Sequence, residues 1–249
     1  MRKLVALVLV VLGVLLVTPA AASASTPTLK SLAKTVAALQ KQVKTLNAKV
    51  TKDESLLGAV EPYVKVTKAT VNGVKGPNII LQGVNLQIRS TTAESDTSGL
   101  GNLIVGWDDE SATTQRSGSN NLVCGDENSF ASYGCFLAGF FNAVSGIGAS
   151  VSGGADNLAS NACASVSGGE GNQATGYEAS VSGGENNRAT GSEASVSGGE
   201  INHASNVCAS VSGGESNQAT ADWASVSGGG SVAENTAEGW SAGGTFHNP

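Results

Sequence analysis

A column of four carboxylates is the first feature of this chain that could do chemistry. Glu170, Glu185, Glu200 and Glu215 recur at intervals of fifteen residues. If each interval is one turn of a stacked array, adjacent carboxylates lie about 4.8 Å apart and repel one another. A divalent cation such as Ca²⁺ would relieve that repulsion. The alternative is a solvated acidic edge with splayed side chains; we favour it, and predict neither a metal site nor another cofactor.

The cysteines and histidines are scattered. Cys163 and Cys208 lie three periods apart, about 14 Å in a stack, too far for a disulfide. Cys124 and Cys135 fall on neighbouring turns but at different places along the strand, so we expect buried thiols, with inter-subunit disulfides as the alternative. The serines recur in every period, whereas a catalytic nucleophile is needed once. The sequence therefore predicts a protein that is not an enzyme.

The remaining candidates for chemistry or binding are the histidines and a small set of other variable side chains. His203 and His247 have no Ser or Cys nucleophile in a suitable context. Tyr177, Arg188, His203 and Trp223 occupy repeat positions that change from one period to the next. Aromatic and Arg side chains are the types that anchor interfaces. We predict that a ligand, if there is one, binds these residues along the turn edges; the alternative is surface decoration without function.

A strict repeat positions all of these residues. The hexapeptide Ala-Ser-Val-Ser-Gly-Gly begins at Ala149, Ala164, Ala179, Ala194, Ala209 and Ala224, with Asn at the ninth and Ala at the eleventh position. Because side chains alternate along a strand, Val points inward and both serines outward. Paired glycines and Asn suit the turns. The pattern predicts a mainly β fold, a parallel β-roll or solenoid of about eight coils of 14–15 residues.

The roll divides into three parts. Regular repeats fill residues 149–229, irregular first coils fill 99–148, and a terminal cap fills 230–249. In the irregular coils Asn128 and Asn142 continue the Asn column, and we expect Leu122 and Phe136 in the place that Val takes later. Three further aromatic residues are expected to thicken this end of the roll: Phe130, Phe140 and Phe141.

Three segments precede the roll. Residues 1–24 combine Arg2 and Lys3, an apolar run and a small-x-small cleavage pattern, which predicts a signal peptide and a secreted or cell-surface protein with no integral membrane span after cleavage. An uncleaved membrane anchor is the alternative. Residues 25–57 predict a coiled-coil helix, and residues 58–98 a β-rich neck. Within the neck, residues 63–66 and 84–88 alternate as half-buried strands do.

The helical segment has a heptad seam. Apolar residues recur at spacings of three and four, and Asp53 is the only polar interruption: Leu29, Leu32, Val36, Leu39, Val43, Leu46, Val50 and Leu57. A lone amphipathic helix packed on the roll is the alternative. Val at the a positions with Leu at d favours two strands.

Charge is divided unevenly along the chain. Residues 26–75 carry nine lysines against three acidic residues, whereas residues 90–249 carry two basic and seventeen acidic ones. The roll is therefore strongly acidic, which excludes nucleic acid as its partner. With 33 Gly and only 4% aromatic residues, a conventional globular core is also excluded.

These motifs carry a family resemblance. The repeat Ser-Val-Ser-Gly-Gly-x-x-Asn-x-Ala resembles the left-handed parallel β-roll of trimeric autotransporter adhesin heads over about residues 101–244, and the helix is similar to their stalks. The segments 102–106 and 121–125 resemble uncharacterised exported bacterial proteins with such rolls. Two departures stand out: a larger apolar residue occupies the place of the first paired Gly in the adhesins, and no segment here resembles their membrane-anchor barrel. The resemblance implies trimers, but not autotransport.

Three functions are compatible with the sequence. The first is an exported structural or adhesin-like protein that presents a rigid surface to a cell-surface or glycan ligand, as a homotrimer with a dimer as the alternative. The second is an ice-binding solenoid that uses the Ser-Val-Ser face. The third is a glycan-active enzyme, for which no distinctive carboxylate pair is present.

Overall fold

The computed structural model describes residues 28–90, 95–107 and 114–243, which divide into a unit ending at Asn85 and a unit beginning at Leu86. The predicted signal peptide, residues 1–24, lies outside the described residues. Among the residues described, none of the helices is both long and apolar enough to cross a membrane.

The first unit begins with helix α1 (Leu29–Val60), which confirms the predicted helix. The Thr28 hydroxyl caps it by accepting a hydrogen bond from the backbone N–H of Ser31 at 3.3 Å. None of its 32 residues is buried. The apolar seam is uncovered, since its members from Leu32 to Val50 are 42–56% exposed.

A short antiparallel pair follows the helix. Strands β1 (Val64–Thr67) and β2 (Asn78–Leu81) place Val64 opposite Leu81. The strand predicted at 63–66 is thus confirmed. The strand predicted at 84–88 is wrong, because that stretch has no hydrogen-bonded neighbour strand among the described residues and β2 takes its place in the pair. Alternation shows which side chains share a face, but it does not supply a pairing partner.

The second unit is a parallel β-solenoid of about nine coils, which confirms the predicted fold class with one more coil than expected. Its strands are β3 (Leu103–Val105), β4 (Leu122–Asp126), β5 (Ser129–Phe130), β6 (Phe136–Phe140), β7 (Ala143–Val144), β8 (Ser150–Val151), β9 (Leu158–Ala159), β10 (Ser165–Val166), β11 (Gln173–Ala174), β12 (Ser180–Val181), β13 (Arg188–Ala189), β14 (Ser195–Val196), β15 (His203–Ala204), β16 (Ser210–Val211), β17 (Gln218–Ala219), β18 (Ser225–Val226), β19 (Ala233–Glu234) and β20 (Trp240–Ser241).

These strands form two parallel sheets. The ten-stranded sheet contains β3 and the even-numbered strands from β4 to β20, and the eight-stranded sheet contains the odd-numbered strands from β5 to β19. Each coil from β4 to β19 contributes one strand to each sheet, with a corner between them, whereas β3 and β20 belong to the ten-stranded sheet alone. We call the corner that contains the acidic column the first corner, and the corner before each Ser-Val strand the second corner.

The interior is a set of stacked columns. The repeated valines superpose in register and are at most 1% exposed: Val151, Val166, Val181, Val196, Val211 and Val226. Two alanine columns, at the first and eleventh repeat positions, are also buried. The apolar core of each regular coil is thus one Val and two Ala, and its Val column is the one that the alternation predicted.

The repeated asparagines join the coils inside the roll. The side-chain oxygen of Asn187 accepts the backbone N–H of Asn202 at 2.9 Å, and its Nδ2 donates to the carbonyls of Gly183 at 2.9 Å and Gly199 at 2.8 Å. Other asparagines of the column repeat this pattern with their own neighbours. Every such Asn therefore satisfies buried polar groups in its own coil and in the next.

The two glycines of each pair differ in what they permit. Gly169 has φ +84°, and a Cβ there would collide with the carbonyl oxygen of Gly184 in the next coil. Gly168 has open space where its Cβ would be. The second Gly is therefore required by the stack. The first has room for a side chain at Gly168, where the resemblance showed a larger residue, but Gly183, Gly198, Gly213 and Gly228 have φ between 140° and 156°, which disfavours one.

The irregular first coils correct one prediction about register. Val123 and Leu137 stack on Val151 and are fully buried, while Leu122 and Phe136 align with Ser150 and point outward. The expectation that Leu122 and Phe136 occupy the Val column is wrong by one residue. Because both members of each pair are apolar, hydrophobicity did not distinguish the inward from the outward phase.

The three phenylalanines at this end of the roll differ in burial. Phe130 is buried in the alanine column of the eleventh position, as expected for a thickened core. Phe140 and Phe141 are 44% and 42% exposed and stack edge to face on each other at 4.2 Å between ring centroids. Only Phe130 thus adds bulk to the interior.

The last coil replaces repeat residues by a polar cap. Val232 takes the place of Asn, and its backbone N–H donates to the side-chain oxygen of Asn217 at 2.9 Å. Glu234 takes the place of Ala and is only 8% exposed. Its carboxylate accepts the backbone N–H of Thr236 at 2.8 Å and the hydroxyl of Ser241 at 2.7 Å, and these bonds lower the pKa of Glu234.

Candidate functional site

The first corner carries the acidic column. Glu170, Glu185, Glu200 and Glu215 are bridged in parallel from coil to coil through their backbones, and all four are exposed. Across the described part of the chain, no group of three or more His, Cys, Asp or Glu side chains is arranged to hold a metal ion. The column is an exposed acidic edge.

The second corner has a regular backbone and varied side chains. One residue per coil adopts positive φ there, among them Glu178 (53°), Glu193 (57°) and Trp223 (61°). Its N–H donates to the preceding coil, as Glu193 does to the Tyr177 carbonyl at 2.7 Å and Trp223 to the Val207 carbonyl at 2.8 Å. This ladder holds each outward side chain at the strand spacing of about 4.8 Å.

Tyr177 and Trp223 both lie on the second corner. They are 49% and 60% exposed, and three coils separate them, about 14 Å at the strand spacing. A hydrogen bond to Glu178 and the negative charge of that side chain raise the pKa of Tyr177, with Glu193 adding to the charge effect. This corner therefore combines two exposed aromatic rings with carboxylates.

Arg188 and His203 lie elsewhere. They begin β13 and β15, face each other in register on the outer side of the eight-stranded sheet, and do not sit at a turn edge. The His203 Nε2 lies 3.0 Å from the Thr190 hydroxyl oxygen. Partial burial and the positive charge of Arg188 lower the pKa of His203, and both favour the neutral ring. The prediction that all four recognition residues lie along turn edges is wrong for this pair.

The cysteines differ in environment. Cys135 is buried and its thiol donates to the Gly146 carbonyl at 3.3 Å; burial raises the pKa of this thiol. Cys124 and Cys208 are half-buried and Cys163 is exposed, and all four are free thiols. The expectation of buried thiols holds for Cys135 only. Cys163 and Cys208 occupy the positive-φ position of the second corner, which turns their side chains away from the core.

Within the regular repeats, the outer face of the ten-stranded sheet is neutral. The first outward column of this sheet consists of Leu103, Leu122, Phe136, Ser150, Ser165, Ser180, Ser195, Ser210, Ser225 and Trp240. A second column carries the other serine of each repeat, which is exposed from Ser152 to Ser227. Hydroxyls can bond along a column, as Ser210 does to Ser225 at 3.1 Å. The charges of the regular repeats lie instead at the corners and at Arg188.

No protein-family model matches this chain, and no curated protein matches it. The adhesin-head resemblance accordingly remains a prediction, although the solenoid that it implies is present.

Two features of these surfaces were not predicted from the sequence. One is the adjacency of Arg188 and His203, which the fifteen-residue spacing between them would have indicated. The other is that the regular repeats carry no charge on the outer face of the ten-stranded sheet, which follows from reading the two outward columns along the repeats. Both signals lay in the repeat numbering, and both required knowing which positions are strands and which are corners.

Proposed function

We propose that this chain is an exported, non-enzymatic structural protein that displays an adhesive surface on a rigid roll. The second corner supports this proposal most directly. Its backbone hydrogen bonds repeat from coil to coil, while the side chains that they hold outward change. Residues that the stack does not need are free to serve recognition.

The chemistry of the second corner suits a neutral or cationic glycan. The exposed rings of Tyr177 and Trp223 offer apolar faces for sugar rings, and Glu178 and Glu193 can accept hydrogen bonds from sugar hydroxyls or pair with amino groups. The same carboxylates repel polyanions such as nucleic acids.

A binding role fits the polar groups better than catalysis does. The His203 ring contacts a threonine hydroxyl on an open sheet face. The glutamates of the first corner repeat in successive coils on an exposed edge, where water screens their charges. Glycan hydrolysis needs one distinctive carboxylate pair placed around a bound sugar.

The neutral face of the ten-stranded sheet favours a second candidate, an ice-binding solenoid. Two columns of six serines form a regular grid of hydroxyls at the strand spacing. Ice-binding faces are typically arrays rich in Thr, whose methyl groups make the face partly apolar. The Ser residues of this face lack that methyl group. We therefore place this candidate second.

A binding screen with matched variants tests both candidates. The purified protein is screened against cell-wall and host-type glycans, together with Tyr177→Ser/Trp223→Ser on the corner, Arg188→Ser on the eight-stranded sheet, and Ser182→Ala/Ser197→Ala on the neutral face. We expect only the corner variant to lose about tenfold or more in binding, with circular dichroism and molecular mass unchanged.

Each alternative outcome has a defined meaning. Binding that survives in the corner variant, or that is lost only in the neutral-face variant, contradicts the proposed adhesive corner. Ice shaping by the native protein that disappears in Ser182→Ala/Ser197→Ala supports the ice-binding candidate instead. Loss in Arg188→Ser alone moves recognition to the outer face of the eight-stranded sheet.

We also propose that the protein assembles as a homotrimer, with a dimer as the alternative. Each regular coil buries only one Val and two Ala as apolar residues. At about 25 cal/mol per Å², this burial offsets little of the entropy lost in ordering fifteen residues. A surface shared between copies adds the burial that a single roll lacks.

A further inference from the structure

We propose that helix α1 binds the same helix of a second copy of this chain, parallel and in register, with Lys49 of each copy paired to Glu54 of the adjacent copy. The pairing is the same in a dimer and in a trimer, where each helix lies beside two others. This contact lies in the helical unit and does not depend on what the roll binds. It assigns opposite roles to two adjacent carboxylates, Asp53 and Glu54.

The helix leaves a long apolar seam uncovered. Its 32 residues span about 48 Å, and none is buried. The seam residues recur at a and d positions of a heptad pattern and are about half exposed: Leu32, Val36, Leu39, Val43, Leu46 and Val50. A heptad seam is complementary to another copy of itself, because each a or d side chain fits between four residues of the facing helix.

The charges beside the seam select the orientation of the two copies. The flanking e and g positions are Ala33, Thr35, Gln40, Gln42, Asn47, Lys49, Glu54 and Leu56. Only Lys49 and Glu54 among them are charged; they have opposite signs, and Lys49 at g precedes Glu54 at e by five residues. Parallel helices in register place each g residue beside the e residue five positions later in the adjacent helix, so every copy forms this pair.

An antiparallel arrangement loses this match. It places g beside g and e beside e, so that Lys49 meets an uncharged residue such as Gln42, and Glu54 one such as Gln40. The remaining lysines of the helix lie on its outer positions: Lys30, Lys34, Lys41, Lys44 and Lys52. The parallel register is therefore the arrangement in which both flanking charges find an opposite charge.

Asp53 opposes the contact that Glu54 supports. It occupies a d position, so parallel packing in register brings Asp53 of each copy together inside the seam. Two ionised carboxylates removed from water repel each other and lose hydration. Lys49, one turn earlier, and Lys52 and Glu54 beside it are the nearby charges of its own helix, and the same set comes from the second copy.

Two variants that have the same net charge as each other test this assignment. Asp53→Asn and Glu54→Gln each remove one negative charge from neighbouring positions of the purified full chain. Dilution series by sedimentation equilibrium at pH 7 and low salt give the dissociation constant. We expect Asp53→Asn to tighten association about tenfold or more, and Glu54→Gln to weaken it about threefold.

Charge reversal then tests the register. Lys49→Glu should weaken association more than Glu54→Gln does, and Lys49→Glu/Glu54→Lys should restore it. The thermal transition of the roll, which belongs to the other unit, serves as the folding control. A chain that stays monomeric at every concentration, equal effects of Asp53→Asn and Glu54→Gln, or failure of the double reversal to restore association would each overturn the proposal.

Discussion

A single buried asparagine carries much of the connection between adjacent coils. Asn187 donates two side-chain hydrogen bonds and accepts one, and all of them end on backbone groups. Asn187→Ala leaves a buried N–H and two carbonyls without this partner. We expect the free energy of unfolding to fall by about 3–5 kcal/mol in urea titrations. Gln218→Ala, on the exposed side of its strand, is the control and should change it by less than about 1 kcal/mol.

The paired glycines give a second residue-scale prediction. Gly169→Ala places a methyl group against the Gly184 carbonyl at a positive φ, whereas Gly168→Ala places it in open space. We expect the first change to lower the free energy of unfolding by about 2–4 kcal/mol, and the second by less than about 1 kcal/mol. Thermal melts of the two single variants compare them directly, and equal losses would contradict the close approach of the coils at Gly169.

Glu234 predicts a pH dependence of the terminal coil. Its hydrogen bonds lower the pKa of the folded-state carboxyl below the ordinary value of about 4.3. The ionised group therefore stabilises the fold above that ordinary value, and the contribution is lost as pH falls through the lowered pKa. Melting temperatures measured from pH 6 to pH 3 should fall more steeply for the native protein than for Glu234→Gln. Parallel curves would show that the cap does not depend on this charge.

At the scale of elements, the register of β4 can be tested by two neighbouring residues. Val123 is fully buried, while Leu122 is 38% exposed on the outer face. Val123→Ala should cost about 2 kcal/mol of unfolding free energy, and Leu122→Ala less than about 1 kcal/mol, although Leu loses more atoms. The reverse order would restore the register expected from the sequence. Chemical denaturation of both variants provides the measurement.

The accuracy of the sequence predictions followed the regularity of each segment. Ser-Val-Ser has one apolar residue, so its inward face was unambiguous, and six copies fixed the coil length. The pairs Leu122-Val123 and Phe136-Leu137 are apolar at both positions, so their phase needed the hydrogen-bonded neighbour that only the structure supplies. The strand predicted at 84–88 failed for a different reason, because its clear alternation did not supply a strand to pair with.

The candidate site was less predictable than the fold. Repeat numbering identified Tyr177 and Trp223 as dispensable to the coil, and the structure places both on an exposed corner. Numbering alone did not separate a corner position from a strand position, so Arg188 and His203 were assigned to the wrong surface. Variability shows that a residue is free to change, but burial and direction depend on where the chain bends.

For the whole molecule, assembly is the decisive measurement. We expect light scattering of the purified protein to give the mass of three copies, because each coil alone buries few apolar atoms and the helix leaves its seam uncovered. A two-copy mass would agree with the Val and Leu placement in the seam. A stable monomer would contradict both the shared surface and the paired helix.

The identity of successive coils makes the length of the roll an adjustable quantity. Each regular coil contacts its neighbours through the same asparagine, glycine and valine atoms, so removing or duplicating one fifteen-residue unit reconnects identical partners. Such a change alters the extent of the stack by about 4.8 Å and leaves both ends as they were. The length of the roll is therefore set in steps by the number of fifteen-residue units that the coding sequence contains.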